Sequence, residues 1–167
     1  MPDFYGTAAA FTAYHGARDN TVPADVDTDA EIEVALLVAS EWIDARYRSQ
    51  FQGWKTAERE QLREWPRRGH VDYYGYLIPD DETPREIQNA VYEIALRHLN
   101  SPGVLSIDYT PSVYDSVSVD GAVSAKFAKF GSASEIQTQF KTVAEILSGL
   151  LSAKGSSGNL TGSSVRT

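Results

Sequence analysis

The chain has 167 residues, of which 42% are apolar and 23% charged, with no cysteine, a composition that fits one ordinary folded domain and excludes two large ones. A chain of this length buries roughly two thirds of its unfolded surface, so a core forms without disulfides or metal; thiol catalysis, zinc knuckles and iron–sulfur clusters have no cysteine to use. Its net charge of −8 opposes non-specific adhesion to nucleic acid or anionic lipid by the chain as a whole.

The longest apolar run, Val34 to Ala39, falls far short of the roughly 20 residues of a membrane span. The opening MPDFYG carries an acid where a secretory leader carries a base, and no apolar stretch follows, so no leader is expected. A short first helix is expected over Thr7 to Tyr14, with Ala8, Phe11 and Tyr14 spaced along one face and Gly16 beyond its end. The second is expected over Asp29 to about Tyr47, opened by a capping box of Thr28 and Glu31. Its stripe is Ile32, Ala35, Leu36, Ala39 and Ile43, and Val34, Leu37 and Val38 widen it until the first turns read as apolar nearly all round. That pattern places the helix at the centre of the core.

Thr83, Pro84 and Glu86 read as N-cap, N1 and N3 of a third helix, with Ile87, Ala90, Val91, Ile94 and Ala95 as its core stripe and Asn100, Pro102 and Gly103 as its end. A fourth is expected from about Glu135 to Ala153, burying Phe140, Val143, Ala144, Leu147, Leu150 and Leu151. Between them, SVYDSVSVDGAVSAKFAKF alternates as strands do, and a hairpin is expected at about 113–130. A three-residue loop Val119-Asp120-Gly121 sets Val117 opposite Val123 and Val113 opposite Phe127, leaving Tyr114, Ser116, Ser118, Ser124 and Lys126 on a polar face open to solvent or another subunit. The expected fold is therefore mainly α: a small bundle of about four helices with one inserted β-hairpin over residues 1–154, then a Gly/Ser-rich tail at 155–167 that is mobile or ordered by a partner.

Catalytic and metal signatures are weak. Asp25, Asp27 and Asp29 begin like a calcium loop, but Ala30 stands where glycine is needed and Leu36 where a bidentate glutamate closes the cage. Acids set near a helix N-terminus explain them as well. His15, His70 and His98 are far apart and show no metal spacing, and GxSxG, Walker and GxGxxG motifs are absent. Neither an enzyme nor a cofactor is expected.

The segment Trp42 to Tyr76 stands apart. Seven bases (Arg46, Arg48, Lys55, Arg59, Arg63, Arg67 and Arg68) alternate there with Trp42, Tyr47, Phe51, Trp54, Trp65, Tyr73, Tyr74 and Tyr76. Rings beside guanidinium groups suit a single-strand groove, where bases stack and phosphates pair. They suit a protein–protein hot spot equally. A third reading is structural, with the rings capping the core and the arginines pairing with Asp44, Glu58, Glu60 and Glu64.

The order WIDARYRSQFQGW, REWPRRG and DYYGYLIPDDETPREIQNAVYEIALRHL, covering about a third of the chain, resembles the head-to-tail connector proteins of long-tailed phages, a family whose relatives also carry the label DnaT-like single-stranded-DNA-binding protein. The resemblance implies a structural virion protein, made in the host cytoplasm and placed at the head–tail junction. Such an adaptor forms a ring, commonly of twelve subunits, beneath the portal protein and receives a tail-completion or stopper protein on its far side. The genome passes through without specific binding, and no membrane or cofactor is involved. On that reading Arg46, Arg48, Trp65, Arg67 and Arg68, with Leu150 and Leu151 of the last helix, are candidate intersubunit or portal contacts, and the hairpin's polar face is a further one. The alternative is a single-stranded-DNA-binding protein that uses the Arg/aromatic surface.

Overall fold

A computed structural model of the protein describes residues 3–105 apart from 25 and 27, the backbone of 116–119 and 123–126, and residues 140–151. In chain order the elements are α1 (Ala8–Gly16), α2 (Asp29–Tyr47), β1 (Trp54–Lys55), a single 3-10 turn (Glu58–Glu60), β2 (Arg67–Arg68), α3 (Arg85–Asn100), β3 (Ser116–Val119), β4 (Val123–Lys126) and α4 (Lys141–Leu147). Among the described residues the fold is mainly α, four helices with a two-stranded antiparallel hairpin, as the sequence implies. β1 and β2 add a second, very short antiparallel ladder, Trp54 opposite Arg68 and Lys55 opposite Arg67.

α2 is the central element. Thr28 caps it as expected: its hydroxyl accepts from the Glu31 amide while the Glu31 carboxylate returns to the Thr28 amide. Ile32, Ala35, Leu36, Ala39 and Ile43 are buried, each large side chain contributing about 1.5–3 kcal/mol by leaving water. The apolar face is narrower than the sequence reads, however, because Leu37 and Val38 are half-buried and Val34 points outward, 59% exposed. α3 lies against α2 through Ile87, Ala90, Val91, Ile94 and Ala95, all buried as expected. α1 and α4 close the core from either side, through Phe11 and through Val143 and Leu147. Among the described residues, no helix is long and apolar enough to cross a membrane.

Four boundaries differ from expectation, each for a local reason. α1 continues through Gly16, because the Ala17 and Asn20 amides still bond the Ala13 and His15 carbonyls. Pro84, not Thr83, is the cap of α3, with an extended ψ of 144°, and the Thr83 carbonyl is taken by the Gln88 side chain instead. α4 starts only at Lys141, since Phe140 is extended, and it stops at Leu147, where the Ser148 hydroxyl takes the Glu145 carbonyl. Leu150 then turns into the core, Leu151 bridges to Phe51, and Ala144 is exposed rather than buried. Residues 135–139, 152 and 153 lie outside the described ones.

The hairpin register is also shifted. Val119 pairs with Val123, Val117 with Ala125, Ser118 with Ser124 and Ser116 with Lys126, so the loop is 120–122 and Val117 does not face Val123. The slip is by two residues, which preserves the alternation but changes the partners: Ser118 meets Ser124 and Ser116 meets Lys126, where the expected register sets Ser116 against Ser124. Val113, Tyr114 and Phe127 lie outside the described residues, as do Asp25, Asp27 and the 155–167 tail.

Candidate interaction surface

The Arg/aromatic segment divides into an inward half and an outward half. On the inward side Trp65 is 2% exposed, edge-on to Phe51 and tilted over His70 at 4.7 Å between ring centres. Its backbone amide donates to the Tyr5 hydroxyl at 3.0 Å, and that hydroxyl donates to Asp44 Oδ1 at 2.8 Å. Asp44 Oδ2 accepts from the Glu64 amide and from Arg63 Nη1, while Arg63 also reaches Glu41 and the Asp3 carbonyl. One carboxylate thus joins the N-terminal segment, α2 and the 63–65 loop. Burial pushes the Asp44 carboxyl up, against hydrogen bonds from Tyr5 and Glu64 and the Arg63 charge, and burial beside Asp44 raises the Tyr5 phenol as well.

Arg67 is a second clamp. Its Nε donates to the Gln52 carbonyl and its Nη2 to the Gly53 carbonyl, both at 2.7 Å, and Nη1 meets Glu64 Oε2 at 2.8 Å. Gly53 makes this possible: its φ of +68° is left-handed, and a Cβ there would run into the Arg68 carbonyl. The guanidinium is therefore spent on loop backbone.

His15 and His70 belong to the same inner layer. Each is fully buried and donates Nε2–H to a backbone carbonyl at 3.0 Å, of Tyr92 and Leu150 respectively, and the Asn20 amide donates to Nδ1 of His15. Burial lowers the pKa of both, which favours the neutral imidazole in each. Among the described residues, no three His, Asp or Glu side chains are placed to hold a metal ion.

The outward half is a small hairpin that the sequence reading missed. Val71 bridges to Leu77 below the tip, the Asp72 amide donates to the Tyr76 carbonyl at 2.8 Å, and the Gly75 amide donates to the Asp72 carbonyl at 3.0 Å. Asp72 Oδ1 accepts from the Tyr74 and Tyr76 amides, both at 2.9 Å, and Gly75 supplies the left-handed φ of +87°. The signal was local, an Asx turn within DYYGY, although it is masked by the aromatic run. From this pinned loop Tyr73, Tyr74, Tyr76 and Leu77 project into solvent, Tyr74 at 80% exposure, and Tyr73 and Tyr74 meet edge-on at 5.3 Å. Trp54, 72% exposed, lies near Gly69 at the start of the same ribbon.

The candidate contact residues are therefore scattered. Trp65, Arg67 and Leu150 are core residues of the chain itself and cannot form an outer surface. Arg46 sits 5.6 Å from the Trp42 ring, Arg48 reaches back to the Asp44 carbonyl, and Arg68 pairs with Glu58 at 3.2 Å on the surface. Leu151 is half-buried. The pairs Arg63–Asp44, Arg67–Glu64 and Arg68–Glu58 realise the ion-pair part of the structural reading, whereas Trp54, Tyr73, Tyr74 and Tyr76 are exposed and do not cap the core.

No curated protein and no solved structure matches the chain. A family model described as "Putative DnaT-like ssDNA binding protein" matches residues 2–167. With the match running over essentially its whole length, the chain belongs to the DnaT-like ssDNA binding protein family.

Proposed function

We propose that the chain works by binding rather than turnover, and that its partners are proteins: a structural virion protein, a head-to-tail adaptor that forms a ring beneath the portal. The observation that carries this reading is the pinned hairpin presenting Tyr73, Tyr74, Tyr76 and Leu77. Exposed rings held in one backbone conformation lose little entropy on contact and are the residues that anchor interfaces. The charges point the same way. Arg63 and Arg67 are committed to internal partners, and the net charge of −8 works against a phosphate backbone. In a ring, that acidity lets a genome slide rather than stick.

The second reading is single-stranded-DNA binding, and the family match favours it by naming that ligand. Trp54 opposite Arg68 is then the place for a base to stack and a phosphate to pair.

One experiment separates them. Light scattering on a sizing column across concentration, repeated with the portal protein of the same virus and with a fluorescent oligothymidylate, should give self-assembly or portal-bound assembly with little oligonucleotide retention. A monomer indifferent to the portal, binding the oligonucleotide saturably and releasing it steeply with salt, would replace the adaptor reading with the second one.

A further inference from the structure

The two-helix core carries unsatisfied surface at both of its ends. α2 spans about 28 Å, and α3 runs antiparallel to it. At the α2 C-terminal end the tyrosine hairpin is anchored: Phe51 follows α2 and bridges to Leu151, His70 holds the Leu150 carbonyl, and Gly149 lies against Tyr73 Cβ. At the opposite end the first turns of α2 and the last turn of α3 enclose a groove of about 420 Å³. Its described lining is largely apolar, with Val26, Ala30, Val34, Ala35, Leu99 and Pro102, and the charged Glu31 lies among them. His98 also borders it, with an Nδ1 that has no hydrogen-bond partner.

We propose that the tyrosine hairpin of one copy docks into the α2–α3 groove of the next, a head-to-tail contact between copies of this chain. This deepens the assembly part of the adaptor reading and rests on it. Knob and groove lie at opposite ends of one rigid helix pair, so a single chain cannot join them, whereas a neighbour displaced along that axis can. The chemistry matches as well: phenol rings meet apolar side chains. The area suffices too. Three tyrosines bury about 450–750 Å² at typical values, close to the roughly 800 Å² per partner of a stable interface. A contact of unlike surfaces does not stop at two copies; it closes into a ring if the rotation between neighbours permits.

The test uses two full-length variants, each altered only at exposed positions: Tyr73→Ser/Tyr74→Ser/Tyr76→Ser for the knob and Val34→Glu for the groove. Circular dichroism and melting of both should match the parent. By sedimentation velocity each variant alone should self-associate about 30-fold more weakly or worse. Mixed one to one, they should form a dimer and nothing larger, since only one intact knob and one intact groove remain per pair. Either variant assembling like the parent overturns the contact while leaving the adaptor reading in place, and so does a mixture that stays monomeric. A parent chain that is monomeric at every concentration yet still binds the portal overturns the contact alone; one that also ignores the portal ends both.

Discussion

Arg67 and Trp65 sit a few residues from Tyr73 and Tyr74 in the same stretch of alternating guanidinium groups and rings, and they meet opposite fates. Trp65 is buried against Phe51 and His70, and Arg67 is buried and bonded to backbone carbonyls, whereas Tyr73 and Tyr74 project from a loop held by the Asp72 carboxylate and two backbone hydrogen bonds. Composition does not distinguish the two halves. What does is where the chain's own polar groups need partners: the 52–53 loop offers carbonyls that only a buried donor can satisfy, so an arginine turns inward there. The tyrosine loop closes its own hydrogen bonds and leaves its rings over.

Removing the inward half should be costly. Trp65→Ala should lower the unfolding free energy by about 3–5 kcal/mol, read from urea midpoints, since it empties a site walled by Phe51 and His70. A cost below about 1 kcal/mol would mean that the ring is not part of the core. Arg67→Ala should cost roughly 3 kcal/mol, by stranding two loop carbonyls and Glu64, and Arg67→Lys should recover only part of it because an ammonium cannot span the same three partners. Gly53→Ala should cost about 1–3 kcal/mol through its left-handed φ and the Arg68 carbonyl. Full stability in that variant would show the loop to be free to rearrange.

Acidification probes the same inner layer more gently. Both buried histidines have a folded pKa below the usual 6.5, so the unfolded chain takes up protons first as the pH falls. Their contribution is complete above 6.5 and is lost as the pH falls through the folded values. The urea midpoint should therefore drop between pH 7.5 and 6, and His70→Gln should flatten that dependence. Asp44, whose carboxyl is raised by burial, acts with the opposite sign. The smallest effect belongs to the outward half: replacing Tyr73, Tyr74 and Tyr76 together by serine should change stability by no more than about 0.5 kcal/mol.

Legibility in the sequence followed the range of the interactions. The Thr28–Glu31 box and the α2 and α3 stripes were readable because they are set within one or two turns. The hairpin's alternation was readable, but its register was not, since a slip of two residues leaves the same residues on each face. The Tyr5–Asp44–Trp65 chain spans up to 60 residues, and nothing local announces it. For the same reason composition left three readings of the arginines open, and only the fold commits Arg63 and Arg67 to the chain's own interior. The tyrosine loop was legible in principle, because Asp72 and Gly75 are turn residues at turn spacing, yet the surrounding rings drew it into a composition argument.

The most direct measurement compares the parent chain with the Tyr73/Tyr74/Tyr76→Ser variant by sedimentation velocity, with and without a labelled oligothymidylate at low salt. The parent should assemble, the variant should remain a monomer, and neither should retain the oligonucleotide strongly. A parent that stays monomeric and binds the oligonucleotide saturably, with the variant losing that binding, would contradict the protein-contact reading and make the same rings a stacking surface for single-stranded DNA.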